Sequence, residues 1–136
     1  MTILQAGGSL HDWGGIERYV LYLAEGLGAR GHRSVVACPP GSPLAMRVGD
    51  RAVPLSFRSR YSPLAVARLL RLVCGLRPDV LHAHFSPEYR VAGLAGRLGR
   101  VPKVVLTRHV ALKWSPRRVR GILALYDHII ATSEAT

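Results

Sequence analysis

Several groups of residues in this chain have types and spacings that could do chemistry. Gly7, Gly8, Gly14 and Gly15 lie in one short loop, GGSLHDWGG, which runs directly into an amphipathic segment. A glycine-rich turn opening into a helix offers free backbone amides and the positive end of the helix dipole, and both suit a phosphate. The competing reading is a flexible strand-to-helix turn. The dinucleotide fingerprint G-x-G-x-x-G is absent, so NAD binding is not expected. His82 and His84, in DVLHAH, are two residues apart in an extended stretch and therefore share a face. They could hold a metal, but no third ligand stands at a diagnostic spacing; hydrogen-bonded histidines on a buried strand are expected instead, and no metal. His109 closes the segment VVLTRH. There its imidazole could serve as an acid, a base or a hydrogen-bond donor near neutral pH.

Positioning these groups requires strands and helices in alternation. Thr2–Ala6 reads as a short buried strand. Ile16, Tyr19, Val20, Leu23 and Leu27 then recur at helical spacing until Gly31 closes the helix. Ser34–Cys38 is the second strand. Ala52–Leu55 is a third, and its Pro54 lacks an amide donor and so belongs at a sheet edge. Four Ser-Pro pairs, at Ser42, Ser62, Ser86 and Ser115, each offer a capping hydroxyl followed by a proline suited to the first helical position, and at least three should start helices. These are placed near 63–76, 87–99 and 116–126, with strands at Asp79–His84, Lys103–Arg108 and His128–Thr132 between and after them. The predicted order is β-α-β-β-α-β-α-β-α-β. Such alternation implies a doubly wound, Rossmann-like parallel sheet of about six strands, in the order 3-2-1-4-5-6, with right-handed crossovers. Ligands bind outside the carboxyl ends of strands in such sheets, which points to the loop Gly7–Gly15 and to His109.

Composition limits the alternatives. A length of 136 residues allows one ordinary domain and leaves no room for a second. With 49% hydrophobic and 20% charged residues the chain is expected to fold rather than stay disordered. Cys38 and Cys74 are too few for a disulfide scaffold or zinc module; both are expected to be buried, inert thiols in a reducing cytosol. Neither a signal peptide nor an apolar run of membrane-spanning length is seen, so a cytoplasmic protein is expected. The net charge of +11 is uneven: residues 51–136 carry fifteen basic and four acidic side chains. Arg58, Arg60, Arg117, Arg118 and Arg120 fall just before or within the first turns of two predicted helices, where the dipole disfavours cations. A phosphorylated substrate or an acidic lipid surface could compensate; the alternative is a solvated arginine-rich face. Nucleic acid is not expected, because a recognition motif and an interleaved aromatic stripe are both lacking. Glu17 and Glu25 form E-x7-E, yet both fall on the polar flank of the first helix and are read as surface glutamates without chemistry. After the last strand, Ser133 and Glu134 look like the opening of another helix with two residues left, so the chain is expected to stop in mid-domain.

The segments GGIERYVLYLAEGLGARGHRSVVACPPGSP, PDVLHAHF, VVLTRH and DHIIATSEA, in this order and spacing, resemble the N-terminal domain of the family 4 glycosyltransferases of GT-B fold. The resemblance covers nearly the whole chain. It implies transfer of a sugar from a nucleotide-sugar to an acceptor with retention of configuration, in a cleft between two Rossmann-like domains of which the N-terminal one mainly binds the acceptor. By that analogy Gly14 and Gly15 approach the donor diphosphate, and His109 bonds acceptor or sugar hydroxyls as the transition state forms. His84 lines the acceptor side, and Arg108 joins the substrate-binding residues. No cofactor and no obligatory metal are implied. Some family members work at membrane surfaces through basic patches, a second motive for the arginines, and the acceptor could be a sugar or lipid-linked. The family's second domain, with its own E-x7-E carboxylates, has no counterpart here, and Glu17 and Glu25 cannot replace it. The expectation is an acceptor-binding half, inactive until a C-terminal domain on a longer or separate chain completes it. The rivals are a non-catalytic basic module that docks on an anionic membrane or a partner protein, and a fragment without function.

Overall fold

The computed structural model describes residues 1–57, 62–110 and 113–132. Arg58, Arg60, Ser133 and Glu134, named above, lie outside them. The described chain runs β1 (Thr2–Ala6), α1 (Gly15–Ala29), β2 (Arg33–Cys38), α2 (Pro43–Val48), β3 (Ala52–Pro54), α3 (Pro63–Leu76), β4 (Val80–Ala83), α4 (Tyr89–Leu98), β5 (Lys103–Arg108), α5 (Pro116–Leu123) and β6 (His128–Ala131). The six strands form one sheet in the order β3-β2-β1-β4-β5-β6, and every pairing is parallel. This is the doubly wound order expected, with the Pro54 strand at one edge.

Alternation along the strands sorts side chains onto two faces. Leu4, Val35, Leu81, Val104 and Leu106 pack with Leu69 and Val73 of α3, Val91 and Ala95 of α4 and Ile122 of α5. Val36 and Cys38, on the opposite face, pack with Val20 and Ala24 of α1 and with Leu44 and Val48 of α2. Helix ends follow local chemistry. Gly31, at φ +81, turns the chain after α1, and the amide of His32 returns to the Leu27 carbonyl, as a glycine C-cap requires. Ser42, Ser62 and Ser115 accept hydrogen bonds from the amides of Ala45, Ala65 and Arg118 at 3.1, 3.3 and 3.3 Å. Each such cap contributes about 1 kcal/mol.

Three expectations need correction. The Ser42-Pro43 pair does start a helix, α2, missing from the predicted order because its six residues show too little periodicity. Ser86-Pro87 opens a single 3-10 turn, Ser86–Glu88, and α4 begins only at Tyr89; the Ser86 hydroxyl accepts instead from Arg118 Nη2 at 3.2 Å. Cys38 is buried as expected, but Cys74 is exposed, because it lies on the outer flank of α3. All of β6 is solvent-accessible, with Ile129 and Ile130 about two-fifths exposed.

Candidate functional site

β1 and β5 both pair with β4 in parallel. Their carboxyl ends therefore share one edge of the sheet, and two adjoining hollows open there. The larger, about 720 Å³, is lined by Gly8, Gly14, Gly15, Glu17, Phe85 and Glu88 among others, a size typical of small-molecule sites. The smaller, about 40 Å³, is lined by His84, Tyr89, Arg108, His109 and Trp114. Ile16 of α1 lines both. The residues singled out from sequence thus gather at one rim but divide between two hollows: Gly14 and Gly15 in the first, His84, Arg108 and His109 in the second.

Gly14 is the N-cap of α1, and its amide donates to Glu17 Oε2 at 2.9 Å. Glu17 also accepts from the Ser9 amide at 3.4 Å and is only 3% exposed. It is therefore not the surface glutamate expected from its place on the helix flank. Its carboxylate folds back over the helix start and accepts from the N-cap amide, the glutamate half of a capping box whose other half glycine, having no side chain, does not supply. Gly15 begins the helix, with nothing within 4 Å of where a Cβ would stand, so its open side faces the larger hollow. Glu25, by contrast, is exposed as expected.

Glu88 had no sequence signal. It is buried beneath the glycine turn, where Gly7, at φ +134, leaves its carboxyl the space that any Cβ would take. Burial pushes its pKa well above the usual carboxylate value of 4.5; a hydrogen bond from the Gly8 backbone opposes this, and the nearby Glu17 adds to it. The carboxyl is thus neutral over a range in which an unfolded glutamate ionises. Below about pH 4.5 both states are protonated, and as pH rises toward the folded pKa the unfolded chain alone releases the proton, so stability falls. Glu88→Gln, which cannot ionise, is expected to gain on the parent protein by up to about 1.4 kcal/mol per pH unit across that window. Urea unfolding at a series of pH values checks this; a constant difference between the two proteins would rule out a neutral buried carboxyl.

The histidines sit on the α1 face of the sheet. His82 Nε2 and Thr107 Oγ1 are 2.6 Å apart, and His84 Nε2 is 3.1 Å from Gln5 Oε1. The Gln5 amide nitrogen donates to Ser34 Oγ at 2.9 Å, so its oxygen must accept, and His84 carries its proton on Nε2. That leaves His84 Nδ1 a lone-pair acceptor, and it has no partner. Burial pushes His82 down to about 4, helped by His109, and holds fully buried His84 well below 6.5, helped by His82 and His109. Both are neutral near pH 7. The two rings lie 4.1 Å apart, on one face as their spacing predicted. Among the described residues no three His, Cys, Asp or Glu side chains cluster as metal ligands would.

His109 follows β5 directly. Its ring meets Tyr19 of α1 edge-on at 4.7 Å and His84 at 5.8 Å, and its Nε2 has no partner. Burial lowers its pKa, with Glu17 opposing. Tyr19 therefore ties the helix that follows the glycine turn to the imidazole that follows β5. Arg108, the last residue of β5, places its guanidinium 4.6 Å from the centre of the Trp114 ring, and Arg118 of α5 stands 5.2 Å from the same ring. Trp114 and Glu88 were not singled out from sequence, and Tyr19 only as part of the apolar face of α1. Their roles arise from contacts between distant segments that no local pattern reports.

A six-stranded doubly wound sheet with hollows at its carboxyl edge defines a Rossmann-like domain of the kind that forms half of a GT-B glycosyltransferase. The signature of Glycosyltransferase Family 4 matches residues 13–136, and the chain belongs to that family. No curated protein sequence matches it at a significant level. Among solved structures it is similar to the HepE protein of Anabaena in complex with UDP-glucose, with a TM-score of 0.75 and 20% identity over 99% of this chain and 38% of that one. It is also similar to a glycosyltransferase of Rickettsia africae, with a TM-score of 0.76 and 18% identity over 97% and 36%. MurG of Acinetobacter baumannii gives a TM-score of 0.73 and 14% identity over 99% and 42%. The chain thus spans less than half the length of each of these proteins. No helix among the described residues is long and apolar enough to cross a membrane.

Proposed function

We propose that this chain is the acceptor-binding half of a retaining glycosyltransferase, completed by a C-terminal domain on the same or a separate polypeptide. The observation that carries the reading is the shared rim: the glycine turn and His109 stand at one edge of the sheet, joined through Tyr19. Gly14 and Gly15 approach the diphosphate of a nucleotide-sugar, a donor class supported by the UDP-glucose in the Anabaena structure. His109 bonds acceptor or sugar hydroxyls as charge develops, and His84 and Arg108 line the acceptor side. Catalysis is then positioning plus electrostatic stabilisation of the leaving diphosphate. A cytoplasmic enzyme of this kind could meet a lipid-linked acceptor at the inner membrane face through the exposed Arg117 and Arg120.

Gly15 separates folding from function. Because a methyl group there meets no atom of the protein, Gly15→Ala is expected to leave the melting temperature unchanged or raise it slightly, by about 0.4–1 kcal/mol of stability. In the two-domain enzyme the same methyl stands where the diphosphate approaches, and KM for the nucleotide-sugar is expected to rise at least tenfold. Steady-state kinetics check this; an unchanged KM would remove Gly15 from the donor site.

A further inference from the structure

The two hollows differ in charge. The larger one is lined by Asp12, Glu17 and Glu88 and by no Lys, Arg or His among the described residues. Cations gather at the smaller one. Arg108 and Arg118 both approach the Trp114 ring, which brings two like charges together beside one indole. Arg118 also sits in the first turn of α5, on the unfavourable end of the helix dipole. Its guanidinium meets the Ser86 hydroxyl and the Trp114 ring and no carboxylate among the described residues. The adjoining cavity is bordered by fully buried His84, whose Nδ1 has no partner, and by His109 Nε2 and Trp114 Nε1, which have none either. Interiors rarely leave so many polar atoms unpaired in one place.

We propose that Ser86, Arg108, Trp114 and Arg118 form a subsite for a phosphate monoester carried by the acceptor. Its oxygens accept from the two guanidinium groups and from the indole N–H, in the charge-assisted geometry that favours arginine over lysine. A cavity of about 40 Å³ takes one bridging water, which can donate to the lone pair of His84 Nδ1, so the phosphate lies at its mouth, beside His109. Assigning the phosphate to the acceptor rests on the acceptor-side reading above; phosphate binding itself does not, and it is measured without turnover.

The test uses this chain labelled with ¹⁵N and titrated with inorganic phosphate at constant ionic strength. The chain has two tryptophans, and Trp13, 4.0 Å beneath Arg47, gives a second indole signal, beside the glycine turn. A saturable shift of the Trp114 indole signal is expected. Arg118→Ala should weaken the response at least tenfold and Arg118→Lys less, whereas Arg71→Ala, which removes the same charge from the exposed side of α3, should leave it unchanged. A response equal in Arg118→Ala and the parent protein, a shift at Trp13 alone, or no response overturns the proposal and leaves any glycosyl transfer untouched. Pelleting with phosphatidic acid vesicles identifies the source. Arg118-dependent pelleting assigns the phosphate to a lipid headgroup, and a phosphate response without pelleting assigns it to a soluble ester.

Discussion

Replacing His109 by alanine in the two-domain enzyme is expected to lower kcat by tenfold or more, with a smaller change in KM. The reason lies in how the ring is held. Tyr19 packs against its edge at 4.7 Å, His84 lies behind it at 5.8 Å, and burial keeps it neutral near pH 7. A neutral imidazole fixed at a half-buried rim offers one donor and one acceptor without reorganising. Removing one such positioned group typically costs about tenfold to a thousandfold in rate. The half-buried ring carries little of the core, so His109→Ala should leave the melt nearly unchanged, and any rate loss then reports on chemistry. Unchanged kinetics in a folded variant would take His109 out of the site.

Much of the scaffold was legible because it follows from local rules. Pro54 could not sit inside a sheet, which placed β3 at an edge; Gly31 could adopt the positive φ that ends α1; and three of the four Ser-Pro pairs marked helix starts, including that of α2, whose brevity hid it. The two-residue spacing of His82 and His84 put both rings on one face for the same reason. Glu17 was misread because periodicity assigns a side chain to a helix flank but does not show that a carboxylate in the first turn folds back to cap the amides. Glu88, Trp114 and the contact of Tyr19 with His109 could not be found in this way. Glu88 is defined by the room left at Gly7, far earlier in the chain, and Trp114 by arginines from β5 and α5. Those are packing facts, and local sequence does not carry them.

The second large effect concerns what one wall of a cleft can do. The departing diphosphate of a nucleotide-sugar needs positive charge around it as the bond to the sugar breaks. The larger hollow supplies the backbone amide of Gly15, while the amide of Gly14 is already engaged by Glu17, and three carboxyl groups stand nearby. The described lining residues include no Lys, Arg or His, so on the proposed reading the cations are expected from the facing domain. The measurement that probes this most directly is transfer from a panel of labelled nucleotide-sugars, run with this chain alone and with the two-domain enzyme. The expected result is no turnover by the isolated chain, and transfer with retained anomeric configuration once both halves are present. Sustained turnover by the isolated chain, or an inverted product from the complete enzyme, would contradict it.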